Sequence, residues 1–243
     1  MKGFPMKKQL LFAALLSVSA LAYGEEVIAH WDFSKGSIDS TDGSYKGTLQ
    51  GFTELTGEKG RQVLTVGLSE KGEGIILREN YPALTPKGAF RIEAKVTLRD
   101  PTARRPKLMI WDSNRIQTPN SARYKDDPKA NSGFAFCIER DPQGGLRPCV
   151  FLGRGKTLEL LRGKTFTAEE GVPFTVAFEY DGTGEFAFYC NGELNRKDKT
   201  KLSGPLAPAC YPAIIGDRGI SNYCRFDGSI SEIKLIDLSS QEK

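Results

Sequence analysis

Phe90-Arg91-Ile92-Glu93-Ala94-Lys95-Val96-Thr97-Leu98 alternates without a break: every second residue is apolar and every residue between is polar. Successive side chains of an extended backbone point to opposite faces, so this stretch is a strand with one face on a core and one in water. Working outward, Phe174, Val176, Phe178 and Tyr180 repeat the pattern against Thr175, Ala177, Glu179 and Asp181. Phe186, Phe188 and Cys190 continue it after the turn sequence Asp181-Gly182-Thr183-Gly184, and Asn191-Gly192 then marks a type I′ hairpin. Further strand-like runs fall at 27–33, 74–77, 108–111, 134–139, 150–152, 157–161, 213–216 and 230–236.

Helical spacing is sustained nowhere beyond the N-terminal stretch, and 26 glycines and 13 prolines punctuate the chain without clustering into a linker. Many short strands in one block predict an all-β fold, a two-sheet antiparallel sandwich of jelly-roll type. Residues 112–132 stand out as a long polar loop, and loops of that length are either functional or solvated insertions.

The N-terminus has a different character. Lys2, Lys7 and Lys8 precede an apolar run from Leu10 to Leu21, and small residues at Ala20, Ala22 and Gly24 lead to Glu25-Glu26. That order is the pattern of a cleavable export signal, expected over 1–24. The run is too short for a membrane helix, which needs about 20 residues. The expected mature unit is one domain over 25–238 with a short tail at 239–243, located in the periplasm, at the cell surface or outside the cell, and without a transmembrane segment.

Removing the signal changes the charge balance. The whole chain carries +4, but the first 24 residues hold three lysines and no acids. The remainder has 31 basic against 30 acidic residues, a net charge of +1. A nucleic-acid partner requires a strong basic field, and this chain lacks one.

Five cysteines in an exported chain point to disulfides. Cys137 and Cys149 flank a Pro-Gln-Gly-Gly turn at nearly symmetrical distances and are the expected first pair. Cys210 and Cys224 are the expected second, closing the loop between two late strands, with Cys190 left over.

Catalytic constellations fail in turn. His30 is the only histidine, no G-x-S-x-G occurs, and His30 shares strand parity with Asp32, which reads as a structural histidine on a strand face. Gly153-Arg-Gly-Lys-Thr157 imitates the end of a phosphate loop, but the first glycine of that motif would fall at Val150, so a hairpin turn is expected. Two carboxylates about 5–5.5 Å apart would suit a retaining glycosidase. Glu139 and Asp141 have the required i, i+2 spacing, though Pro142 and Gly144-Gly145 end the strand there; Glu179 and Asp181 have it as well, at the start of a turn.

Pro173–Gly182, Phe186–Glu193, Ile214-Ile-Gly216 and Phe226-Asp-Gly-Ser-Ile-Ser-Glu-Ile-Lys-Leu235 follow one another as strand, DG turn, strand ending in NG, and a closing F-x-G-x-I-x-E strand. In that order they resemble the laminin-G-like, concanavalin A-like lectin/glucanase domains of exported bacterial proteins. Ala29-His-Trp-Asp-Phe33 with Asp39-Ser-Thr-Asp-Gly43 resembles the opening strand and loop of that family, and Phe90–Val96 its next strand. The resemblance implies two packed antiparallel sheets, carbohydrate binding and a structural calcium ion. Asp32, Asp39 and Asp42 would supply oxygen ligands, although the matching final-strand acid is replaced by Ser231. The glucanase branch carries an E-x-D-x-E strand; Glu139-x-Asp141-x-Gln143 lacks the third carboxylate, so Glu139 and Asp141 remain weak catalytic candidates.

The expected function is a non-catalytic, lectin-like module for a glycan or another extracellular ligand. Trp111, Tyr124, Tyr211 and Tyr223 would stack on sugar faces, with Arg115 and Asn222 as polar partners. For Trp111, core packing is the competing role. The alternatives are a glycoside hydrolase or lyase with a degenerate carboxylate motif, and an extracellular adhesive or protein-interaction domain.

Overall fold

The computed structural model describes residues 26–67, 73–101, 106–114, 131–218 and 224–239. The stretch 1–24 expected to be an export signal and most of the long 112–132 loop, including Arg115 and Tyr124, lie outside the described residues, as do Asn222 and Tyr223. The described residues form two antiparallel sheets facing one another as a jelly-roll sandwich.

One sheet holds β1 (Glu26–Asp32), β3 (Glu54–Thr56), β4 (Val63–Val66), β6 (Phe90–Leu98), β11 (Phe174–Tyr180), β12 (Glu185–Cys190), β13 (Glu193–Lys199) and β15 (Gly228–Asp237). The other holds β2 (Gly47–Gln50), β5 (Gly74–Leu77), β7 (Lys107–Asp112), β8 (Phe134–Arg140), β9 (Leu146–Gly153), β10 (Leu158–Arg162) and β14 (Ile214–Ile215). The first sheet runs β13-β12-β11-β6-β15-β4-β3, and the second β10-β9-β8-β7-β14-β5-β2.

The closing strand β15 organises the first sheet. One edge pairs with β6 along its length, while the other is shared, β4 meeting Gly228–Ile230 and β1 meeting residues 232–237. The first and last strands of the domain are therefore neighbours.

The inward residues of both sheets make one core. Trp31 of β1 and Trp111 of β7 meet across the layers with ring centroids 5.5 Å apart. Phe134 stacks on Trp111, and ring contacts continue from it through Phe90 and Phe178 to Phe188, each fully buried. The alternating stretch Phe90–Leu98 is β6 to the residue, and its buried positions are the apolar ones.

β8 and β9 differ. Their sequences, Phe-Ala-Phe-Cys-Ile and Pro-Cys-Val-Phe-Leu, are runs of apolar residues without alternation. The reason is burial on both faces: Phe134, Phe136 and Ile138 enter the main core, while Ala135 and Cys137 join Met109, Cys149, Phe151 and Cys224 in a second apolar layer on the opposite side.

β2, β3 and β4 were not foreseen from the sequence, and β13 was signalled only by the Asn191-Gly192 hairpin before it. The first three have only three or four residues, too few to establish a period. β13, Glu-Leu-Asn-Arg-Lys-Asp-Lys, is an exposed edge whose charges discourage pairing with another chain. Gly153-Arg-Gly-Lys-Thr157 is the β9–β10 hairpin turn, closed by the Arg154 N–H donating to the Thr157 carbonyl at 2.9 Å. No helix among the described residues is long and apolar enough to cross a membrane.

Candidate functional site

The outward face of the eight-stranded sheet carries a groove lined by charged and aromatic side chains. The register lays Arg91, Glu179, Ala187 and Lys197 in one row across β6, β11, β12 and β13, and Glu93, Ala177, Tyr189 and Leu194 in the next. Each row therefore has an alanine among long side chains. Ala187 floors a depression of about 210 Å³ bordered by Glu179, Glu185, Tyr189 and Lys197. A second depression of about 400 Å³ adjoins it through Asp181 and Glu185 and reaches Thr200 and Lys201.

The aromatic group in this groove is fixed from two sides. Tyr189 donates its hydroxyl to Glu179 Oε2 at 2.8 Å, and the Arg91 guanidinium lies 5.0 Å from its ring centroid. Arg91 in turn donates to Glu179 Oε1 at 2.7 Å and to Glu93 Oε2 at 2.6 Å. Burial, and then the bond to Glu179, raise the Tyr189 pKa, so the hydroxyl stays a donor. Tyr189 and Glu179 are held in place before any ligand arrives, which reduces the entropy lost on binding.

At the other end Glu185 meets Lys197 Nζ at 3.1 Å. Asp181 is committed to the β11–β12 turn: its Oδ1 accepts from the N–H groups of Thr183, Gly184 and Glu185 at 2.7–2.9 Å. Burial alone would raise its pKa, but the Thr183 hydroxyl and these amides outweigh it and hold the carboxyl low. The groove thus offers an aromatic ring, hydrogen-bond acceptors and ammonium donors.

Trp111 is 1% exposed and stacks with Phe134, so it cannot meet a sugar; its place on an inward position of β7 makes it core. Tyr211 is 45% exposed, ahead of β14. The other expected contacts, Arg115, Tyr124, Asn222 and Tyr223, lie outside the described residues.

Glu139 and Asp141 share a face but serve an ion-pair cluster. Glu139 accepts from Arg162 Nε at 2.5 Å and Arg147 Nε at 3.0 Å, with Lys107 Nζ at 3.2 Å; Asp141 pairs with Arg147 at 3.1 Å. Burial pushes the Glu139 pKa up, yet Arg162 and Lys107 outweigh it and bring it to about 2. A carboxyl held that low cannot carry a proton to a leaving group near neutral pH.

The three aspartates expected to hold calcium do not converge. Asp32 accepts from the Ser34 hydroxyl at 2.6 Å, Asp39 from the Gly47 N–H at 2.9 Å and Lys46 at 3.1 Å, and Asp42 from the Ser40 and Ser44 hydroxyls at 2.6 Å each. Among the described residues no three His, Cys, Asp or Glu side chains gather as metal ligands. His30 is structural, bonding Glu232 Oε1 at 2.8 Å.

Cys210 and Cys224 do not pair. Cys210 lies 3.1 Å from the Ser132 hydroxyl, whereas Cys224 packs beside Cys137 and Cys149 in the second apolar layer. Cys190 sits half-buried against the main core.

No protein-family model and no curated protein sequence matches the chain. In structure it is similar to domain 4 of an extracellular GH43 arabinanase from Geobacillus stearothermophilus, solved with arabinotriose. The TM-score is 0.57 at 17% identity, over 90% of this chain and 96% of that one. It is also similar to the botulinum neurotoxin serotype D/C binding domain, with TM-score 0.61 and 15% identity over 89% and 50% of the two chains. A further likeness, TM-score 0.59 at 15% identity over 89% and 49%, is to the type C neurotoxin, whose cell entry depends on two ganglioside molecules. The chain spans about half the length of these neurotoxin chains. Identities this low establish a shared β-sandwich.

Tyr189, Glu179 and Glu185 were missed as binding candidates. Their outward parity was readable, since they alternate with Phe178, Phe186 and Phe188. The depression was not, because it arises from Ala187 lying between Glu179 and Lys197 of two other strands.

Proposed function

We propose that this protein is an exported, non-catalytic glycan-binding module, and that the groove around Tyr189 holds the sugar. The observation that carries this is the Tyr189 ring fixed by Glu179 and Arg91 beside a recess floored by Ala187. Sugar rings present C–H faces to an aromatic ring and hydroxyls to carboxylates and ammonium groups. The likeness to a sandwich solved with arabinotriose supports the same class of ligand. The salt-bridged state of Glu139 and Asp141 speaks against the hydrolase or lyase reading.

Calorimetry of the purified mature chain with arabinotriose and ganglioside oligosaccharides, alongside a glycan array, tests the binding. Saturable binding that Tyr189→Ala removes is the expected result; binding to no glycan overturns the proposal. Release of reducing ends from a polysaccharide would return the catalytic alternative. Export is tested separately by sequencing the N-terminus of the protein secreted from its host, expected to begin after Ala22 or Gly24.

A further inference from the structure

The outward face of the seven-stranded sheet carries one row of residues that no sugar-binding role accounts for. The Met109 N–H donates to the Cys224 carbonyl at 2.8 Å, and Met109 stands opposite Cys137. Cys137 stands opposite Cys149, and Cys149 opposite Arg162. The row therefore reads Cys224, Met109, Cys137, Cys149 and Arg162, with the two central cysteines fully buried.

Directly opposed residues on antiparallel strands have Cβ atoms about 4.5–5.5 Å apart, close to the span a disulfide bridges. The Sγ atoms of Cys137 and Cys149 are already 2.8 Å apart, in contact and unbonded. Cys224 belongs to the same layer, but its backbone is bonded to Met109 and so lies one chain further from the pair.

We propose that Cys137 and Cys149 form an intramolecular disulfide joining β8 to β9, and that Cys224 stays outside it. The oxidant is a small-molecule or protein disulfide of an oxidising compartment. Two thiols of this chain lose their hydrogens, one S–S bond forms between them, and the oxidant's S–S bond is cleaved to two thiols. The bond belongs to the folding stage. Once the layer closes, burial and the neighbouring Cys149 keep the Cys137 thiol well above its ordinary pKa, which makes it a poor nucleophile. The same burial screens the finished bond from reductants.

The test uses the full chain refolded in a glutathione redox buffer, so its outcome is independent of whether the protein is exported or binds a glycan. Thiols are alkylated in denaturant without reductant, and the chain is cut with trypsin. Cys137 lies in the fragment 130–140 and Cys149 in 141–154, because Arg147 precedes a proline and resists cleavage. The expected result is three alkylated cysteines of the five and a linked pair of these fragments, lighter than their sum by two hydrogens. The link survives dithiothreitol in the folded protein and is lost when denaturant is added. Cys224→Ser retains it. Five alkylated cysteines, a link that includes Cys224 or Cys210, or loss of the link in Cys224→Ser would overturn the proposal.

Discussion

Tyr189 donates its hydroxyl to Glu179 Oε2 at 2.8 Å across neighbouring strands, and Arg91 closes the set over the ring. This arrangement places a rigid aromatic ring at the edge of a recess. Tyr189→Ala is expected to weaken glycan binding by roughly tenfold or more, about 1.4 kcal/mol, with a small change in thermal midpoint. Tyr189→Phe keeps the ring and loses the lock, so it should fall between. Calorimetric titration of the three proteins separates these outcomes.

Trp111 gives the opposite expectation. It fills the contact between the sheets beside Trp31, so Trp111→Ala should cost about 3–5 kcal/mol of unfolding free energy. A milder Trp111→Phe should unfold at lower urea while its folded fraction binds ligand as the wild type does. Loss of affinity in folded Trp111→Phe would return this residue to the ligand site.

Glu139 should make the fold sensitive to acid. Its pKa falls from an ordinary 4.5 to about 2 in the folded chain. The stabilisation is therefore present above pH 4.5 and is lost as the pH falls towards 2. Glu139→Gln leaves Arg162 and Arg147 without their carboxylate and should cost about 1–3 kcal/mol at neutral pH. Urea midpoints of the two proteins should differ most near pH 6 and converge near pH 2.

Asp112 carries the reverse sign. Burial raises its pKa from 3.8 to about 7, with Arg218 only partly opposing the shift. The folded state then binds more protons than the unfolded chain between these values, so stability falls as the pH rises through that window. Asp112→Asn should flatten this slope. Thermal midpoints at pH 5 and pH 8 check it, the wild type losing more than the variant.

Gly74 is a backbone requirement. It has φ +105°, and a Cβ there would collide with the Ile215 carbonyl of the neighbouring β14. Gly74→Ala should destabilise the protein by about 1–3 kcal/mol, read from the urea midpoint, because strain and collision act together.

The sequence alone determined the fold class and most of the strands. Period-two alternation in Phe90–Leu98 and Phe174–Tyr180 is a local consequence of one buried and one wet face, so it survives in the linear order. The same parity placed His30 on an outward face and marked the turns at Asp181-Gly182 and Asn191-Gly192. Only the tertiary structure decided what those faces contain. Trp111 and Glu139 looked available because a sequence does not show what packs on the far side of a strand: Phe134 and Trp31 for one, Arg162 and Lys107 for the other. The Tyr189 recess depends on the register that brings β6, far away in the chain, beside the β11–β12 hairpin, whereas the opposition of Cys137 and Cys149 was legible because the two flank one hairpin turn at nearly equal distances. Within a hairpin such as β8–β9 the turn fixes the register, but between strands as distant as β6 and β11 it is fixed only when the sheets close around their common core.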